Sequence, residues 1–189
     1  MPAATDIERR DRALIAFALL SGARDNAIAS LSLKHVDLAR RSVFQDAREV
    51  RTKNRKTFTT WFFPVSVDIE QIVADWIAFL TKERGFGPDD PLFPATRIAL
   101  GDNGFEAGGL GRKHWKNAAA IRRIFKVAFA QAGLPYANPH SFRNTLAVLG
   151  ERLCATPEDF KAWSQSTQAV HQPLGCRGCI GFSRASTHC

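Results

Sequence analysis

His140 and Arg143 stand three residues apart in Asn-Pro-His-Ser-Phe-Arg-Asn-Thr-Leu, residues 138–146. An imidazole beside a guanidinium can hold a phosphate and move a proton near it. That requires both side chains on one helix face, which the i,i+3 spacing provides. Pro139 marks where such a helix opens, because its missing N–H needs no partner in the first turn. Ser141 and Asn144 add polar groups, while Phe142, Leu146 and Leu149 supply an apolar side. Alone, the stretch also describes a helix start with a solvated His and Arg.

Other cations could serve the same chemistry. Ser21-Gly22-Ala23-Arg24-Asp25 puts Arg24 beside a glycine that lets the backbone turn sharply. A surface Arg pairing with Asp25 is the plainer reading of Arg24. Arg51-Thr52-Lys53-Asn54-Arg55-Lys56-Thr57 carries four cations in seven residues, and Gly111-Arg112-Lys113-His114-Trp115-Lys116 is a second basic cluster with an aromatic inside it. Charge runs are usually solvated faces. On a chain of formal net charge +8 they are also good phosphate contacts. That charge favours a polyanionic partner, nucleic acid first and an anionic membrane surface second.

The elements that must position these groups follow from periodicity. Residues 7–21 read as an amphipathic helix, with Ile7, Leu14, Ile15, Ala18 and Leu19 near a 3.6 period and Gly22 as its stop. A second helix runs from about Asp25 to Leu31. Lys34 to Leu38 reads as an exit turn leading to a strand. Val43, Phe44, Val50, Phe58, Trp61, Phe62, Phe63 and Val65 are β-prone and predict a hairpin with its basic tip around Asn54. Asp68 opens another helix, with Gln71 as a partial capping box and Ile69, Ile72, Val73, Trp76, Ile77 and Leu80 as the apolar stripe. It ends at Gly85.

Residues 85–111, rich in Gly, Pro and Asp, read as a long loop pinned to the core by Leu92 and Phe93. Asn117 caps a helix to Ala132, closed by Gly133, with Ile121, Ile124, Phe125, Ala128 and Phe129 inward. A last helix is expected from Thr156, with Phe160 and Trp163 on its inner face. After Gln165 periodicity stops, so 166–189 read as a divergent, disordered tail.

A chain of 189 residues with 45% hydrophobic content, 14 Phe and 4 Trp can build one real core. No apolar run reaches membrane-span length, and no secretory signal opens the chain. Four Cys, three of them within the last 14 residues, make no disulfide framework and suggest a reducing cytoplasm. Cys176, Cys179, His188 and Cys189 allow a small zinc module, although adjacent His188 and Cys189 are awkward as joint ligands. No Asp/Glu cluster of the kind a metal nuclease needs is visible, and no cofactor or small-molecule substrate is expected.

Ser-Gly-Ala-Arg at 21–24, Thr-Lys-Asn-Arg-Lys at 52–56 and His-Ser-Phe-Arg at 140–143 occur in that order. Together they resemble the catalytic domain of the tyrosine recombinases, or phage integrase family, over about residues 8–165. The resemblance implies a mixed α+β, mainly α fold with a small antiparallel hairpin or sheet, one domain over 1–165, and double-stranded DNA as partner, with a homo-oligomer on DNA as a further expectation. It implies that Arg24 and Arg143 stabilise charge on the scissile phosphate and that His140 assists there. A hairpin lysine would protonate the 5′-oxygen leaving group; Lys53 matches that position better than Lys56. Arg51, Arg55, Lys56, Arg112, Lys113 and Lys116 are the candidate DNA contacts.

The departures bear on catalysis. The family's nucleophile is a Tyr downstream of the His-x-x-Arg box, whereas the one Tyr here, Tyr136, lies upstream in what looks like a linker. The usual Leu-Gly-His is missing, and Pro173-Leu174-Gly175-Cys176 is a poor echo. Ala27 stands where an acid usually supports the first Arg, and Asn144 where His is common. The DNA-clamping helical domain that usually precedes this one is not in the chain. The expectation is a truncated member, its last two dozen residues read from a shifted frame, that binds DNA without cutting it. The alternative is a non-catalytic DNA-binding remnant of an integrase.

Overall fold

The computed structural model describes residues 1, 3–101, 104–153 and 156. The helix expected after Thr156, the tail from 166 and the four candidate zinc ligands lie outside them. Among the described residues, five α-helices and two small antiparallel sheets make a mainly helical α+β fold, as expected.

Helix α1 (Asp6–Ser21) is the central element. Thr5 caps it in a full capping box: the Glu8 N–H donates to Thr5 Oγ1, and the Thr5 N–H donates to Glu8 Oε2. Such a cap contributes about 1 kcal/mol. Leu14, Phe17 and Leu20 are fully buried, each such side chain contributing about 1.5–3 kcal/mol. Phe17 meets Phe93 edge-on at 5.4 Å, so Leu92 and Phe93 do pin the loop that carries them. The Trp76 indole N–H donates to the Leu92 carbonyl at 2.8 Å and locks α3 (Val67–Ala78) to the same segment.

α2 (Asp25–Ile28) is shorter than expected. β1 (Val36–Asp37), β2 (Ser42–Gln45) and β3 (Phe58–Trp61) form one antiparallel sheet in the order β1-β2-β3. Ser42 faces Trp61 and Gln45 faces Phe58. The β2–β3 connection carries the basic run, and Asn54 turns it with φ of 59°, a left-handed conformation Asn tolerates. Val50, Phe62, Phe63 and Val65 fall outside the strands, because Val50 closes a turn through its N–H to Asp46 O and Phe63 donates to Leu20 O instead of a ladder partner. α3 is capped two residues before the expected cap. Ser66 Oγ accepts from the Asp68 N–H, and Gln71 bonds to Asp75 rather than back to the cap.

The long loop of 85–111 is a correction. Within it β4 (Thr96–Gly101) and β5 (Gly104–Leu110) form a two-stranded antiparallel hairpin. The glycines of β5 mark a bulge in paired strand rather than a loop, since the register shifts between Thr96 and Ile98 opposite Gly108 and Gly109. A Cβ at Gly108 would come within 2.8 Å of the Ala99 Cβ, so that glycine permits close approach of paired strands.

α4 (Ala119–Gln131) starts one residue later than expected, with Ala118 at the cap position and Asn117 Oδ1 accepting from the Ala119 N–H. It buries Ile121, Phe125 and Ala128. α5 (Pro139–Leu153) docks on it through Phe142, whose ring centroid lies 5.2 Å from that of Phe125 and 6.2 Å from that of Phe129. Leu146 packs with Phe63 and Leu19 on the other side. No helix among the described residues is long and apolar enough to cross a membrane.

Candidate functional site

Gly22 builds the joint that carries Arg24. Its φ of 58° closes α1, with its N–H donating to Ala18 O at 3.0 Å. A side chain there would be strained twice, since a Cβ would also lie 3.0 Å from the Phe63 ring and 3.4 Å from Leu146. Ser21 Oγ donates to Phe17 O and accepts from the Ala23 N–H, which fixes the turn. Arg24 follows in extended conformation, half-buried.

The opposite wall is the first turn of α5. Asn138 Oδ1 accepts from the Ser141 N–H at 3.0 Å, and Pro139 takes the first helical position. His140 and Arg143 then share one face, with His140 exposed and Arg143 half-buried. Arg143 Nη1 donates to the Gly22 carbonyl at 3.0 Å. The two motifs, 121 residues apart in sequence, therefore meet through a direct bond. Burial, and then the positive charge of Arg24, hold the Arg143 guanidinium below its ordinary pKa. Two guanidiniums repelling one another in partly desolvated surroundings favour an anion between them.

Arg24, His140 and Arg143 line one cavity of about 590 Å³, together with Asp25, Arg122 and Tyr136. Asp25 does not pair with Arg24. Its Oδ2 accepts from Arg122 Nε at 2.8 Å. Neither Arg24 nor Arg143 has a carboxylate partner among the described residues. Ala27, where an acid would support Arg24, is 1% exposed within the apolar core. Asn144 is exposed on α5.

Lys53 is not brought into the cavity wall. It sits on an exposed turn, Lys53–Arg55, with Lys56 beside it. Arg55, Lys56, Lys113 and Lys116 are exposed and have no ion-pair partner among the described residues. Arg51 and Arg112 are otherwise engaged. Arg51 Nη2 donates to Trp115 O at 2.6 Å, its Nη1 donates to Lys116 O, and its backbone N–H donates to Ser30 Oγ. Arg112 donates to Arg84 O and Gly85 O and lies 4.8 Å over the Phe86 ring. Both guanidiniums knit loops together, and nothing in a charge run distinguishes them from free cations. Asp25, Arg122 and Tyr136 are cavity residues that sequence reasoning missed. Arg122 carries one usable signal, since it lies off the apolar stripe of α4.

No group of three or more His, Cys, Asp or Glu among the described residues is placed to hold a metal ion. The site gathers two guanidiniums and an imidazole on a mainly helical fold with a small hairpin sheet. The phage integrase family model matches residues 1–149, and the chain belongs to that family, its fold that of a tyrosine recombinase catalytic domain. Among solved structures it is similar to XerA recombinase, with TM-score 0.55 and 14% identity, over 89% of this chain and 57% of that one. It is also similar to the integrase of mycobacterium phage Brujita, with TM-score 0.50 and 17% identity, over 87% and 50%. The chain therefore spans about half the length of either. No curated protein matches it in sequence.

Proposed function

We propose that this chain is a site-specific recombination domain that binds double-stranded DNA and cradles the scissile phosphate without cutting the strand. The observation that carries this reading is the convergence of Arg24, Arg143 and His140 on one cavity, neither guanidinium paired with a carboxylate among the described residues. Forked guanidinium donors suit the non-bridging oxygens, where charge builds during phosphodiester chemistry. His140 would hydrogen-bond the same phosphate. Lys53, rather than Lys56, would approach the 5′-oxygen once DNA seats the exposed loop. Lys56, Arg55, Lys113 and Lys116 would contact flanking phosphates, and we assign 1–165 to this domain and 166–189 to a divergent tail.

Cutting needs a nucleophile. The chain carries one Tyr, Tyr136, in the loop between α4 and α5 and upstream of the box. One observation favours a second reading: Tyr136 is half-exposed and lines the same cavity. A nicked suicide substrate separates the two. The expected result is binding that weakens steeply with salt and no denaturant-resistant adduct. An adduct that disappears in Tyr136→Phe would establish the second reading.

A further inference from the structure

The cavity between α2 and α5 has one carboxylate on its wall, Asp25. Its partner comes from the far side of the chain: Oδ2 accepts from Arg122 Nε on α4 at 2.8 Å. Oδ1 is used locally, accepting from the Asn26 N–H. Bonding through Nε alone leaves both Nη groups of Arg122 without a partner among the described residues. Arg122 is 59% exposed, and exposed ion pairs contribute little to stability and exchange partners readily. Arg24 and Arg143, by contrast, make no such pair among the described residues.

We propose that the Asp25–Arg122 pair is a gate on the phosphate cavity. Asp25 holds Arg122 while no phosphate is bound. An incoming DNA phosphate takes over that guanidinium, which becomes a third cation around it beside Arg24 and Arg143. This rests on the reading that the cavity holds a DNA phosphate. Two physical points drive the exchange. The carboxylate on the wall repels an anionic ligand at short range, so an empty site is kept from binding stray anions well. A phosphate offers guanidinium forks more acceptor positions than the single Asp25 oxygen now used. Arg122 also reaches the cavity from α4, whereas Arg24 and Arg143 come from the α1–α2 joint and α5. Engaging it would close three elements on one ligand.

The test measures affinity of the full chain for a short mixed-sequence duplex by fluorescence anisotropy over a range of salt. The variants are Asp25→Asn, Arg122→Gln and the double variant. Asp25→Asn keeps the Oδ1 acceptor for Asn26, and neither Asp25 nor Arg122 is a member of the apolar core, so folding is retained. Asp25→Asn is expected to tighten binding about threefold, and Arg122→Gln to weaken it about threefold and flatten the log–log salt slope by about one. The gain from Asp25→Asn should shrink in the Arg122→Gln background. Asp75→Asn, an acid lining a different cavity between α1 and α3, should change little. Weaker binding in Asp25→Asn would make the pair a structural tie and overturn the gate. So would an unchanged salt slope in Arg122→Gln. Arg143→Gln separates the two levels: if it weakens binding while Arg122→Gln does not, only the gate fails; if neither weakens it, the cavity reading itself fails.

Discussion

The cavity and the β2–β3 connection carry the same kind of charge in opposite ways. At the cavity, packing decides where each cation stands. Arg143 is set by α5, which is clamped by Phe142 against α4 and by Leu146 against Phe63, and its guanidinium is tied to the Gly22 carbonyl. On the connection, Lys53, Arg55 and Lys56 stand in solvent on a turn with two consecutive left-handed residues, Asn54 and Arg55. Only Arg51 is fixed there, and it is fixed by spending its fork on Trp115 and Lys116 carbonyls. A preorganised cation can stabilise a developing charge without moving, while a solvated one must first be ordered by its ligand. The contrast assigns phosphate recognition to the cavity and adaptable backbone contact to the loop.

Five substitutions sharpen or break that contrast. The largest effect is expected from Phe125→Ala, which removes the ring between α4 and α5. It should cost about 3–5 kcal/mol in chemical denaturation, whereas Lys53→Ala should stay within about 0.5 kcal/mol. Equal costs would mean the cavity is no better supported than the loop. Next is Arg51→Ala, which leaves two carbonyls without their donors and should cost about 1–3 kcal/mol. Its DNA-binding salt slope should remain that of the parent, while Lys53→Ala, Lys113→Ala and Lys116→Ala should each flatten it by about one.

The smallest effect is one of pH, at the joint that anchors the loop to the rest of the fold. The Ser32 N–H donates to His35 Nδ1, His35 Nε2 lies 3.2 Å from Glu49, and His114 Nε2 lies 3.1 Å from Ser32 Oγ. Burial holds both imidazoles below their ordinary pKa. Each is therefore protonated more readily once unfolded. The stability they contribute is present above the ordinary imidazole range and is lost as pH falls through it. Denaturation midpoints should drop between about pH 7.5 and 5, and drop less in His35→Gln. A midpoint that rises on acidification would contradict the assignment of both residues as neutral.

Much of this arrangement is legible in the residues themselves. Gly22 announces the end of α1, Pro139 the start of α5, and the 3.6 period of Ile121, Phe125 and Ala128 the inward face of α4. These are local signals. The β4–β5 hairpin was hidden because its glycines look like loop punctuation, although Gly108 is small to let a strand pass close to Ala99. The partners of Arg51, Arg112 and Arg122 were not readable at all. Arg51 meets carbonyls 64 and 65 residues away and Arg122 meets Asp25 across 97. A single sequence displays the charge of an Arg and is silent on which distant acceptor consumes it.

Side-chain NMR of the arginine Nε–H groups, recorded while a short duplex is titrated into ¹⁵N-labelled protein, tests the central claim most directly. The expected result is that the Arg24 and Arg143 signals shift and sharpen on binding while those of Arg51 and Arg112 stay in place. Shifts confined to Arg51 and Arg112, with Arg24 and Arg143 unmoved by saturating DNA, would contradict the assignment of the cavity as the phosphate site.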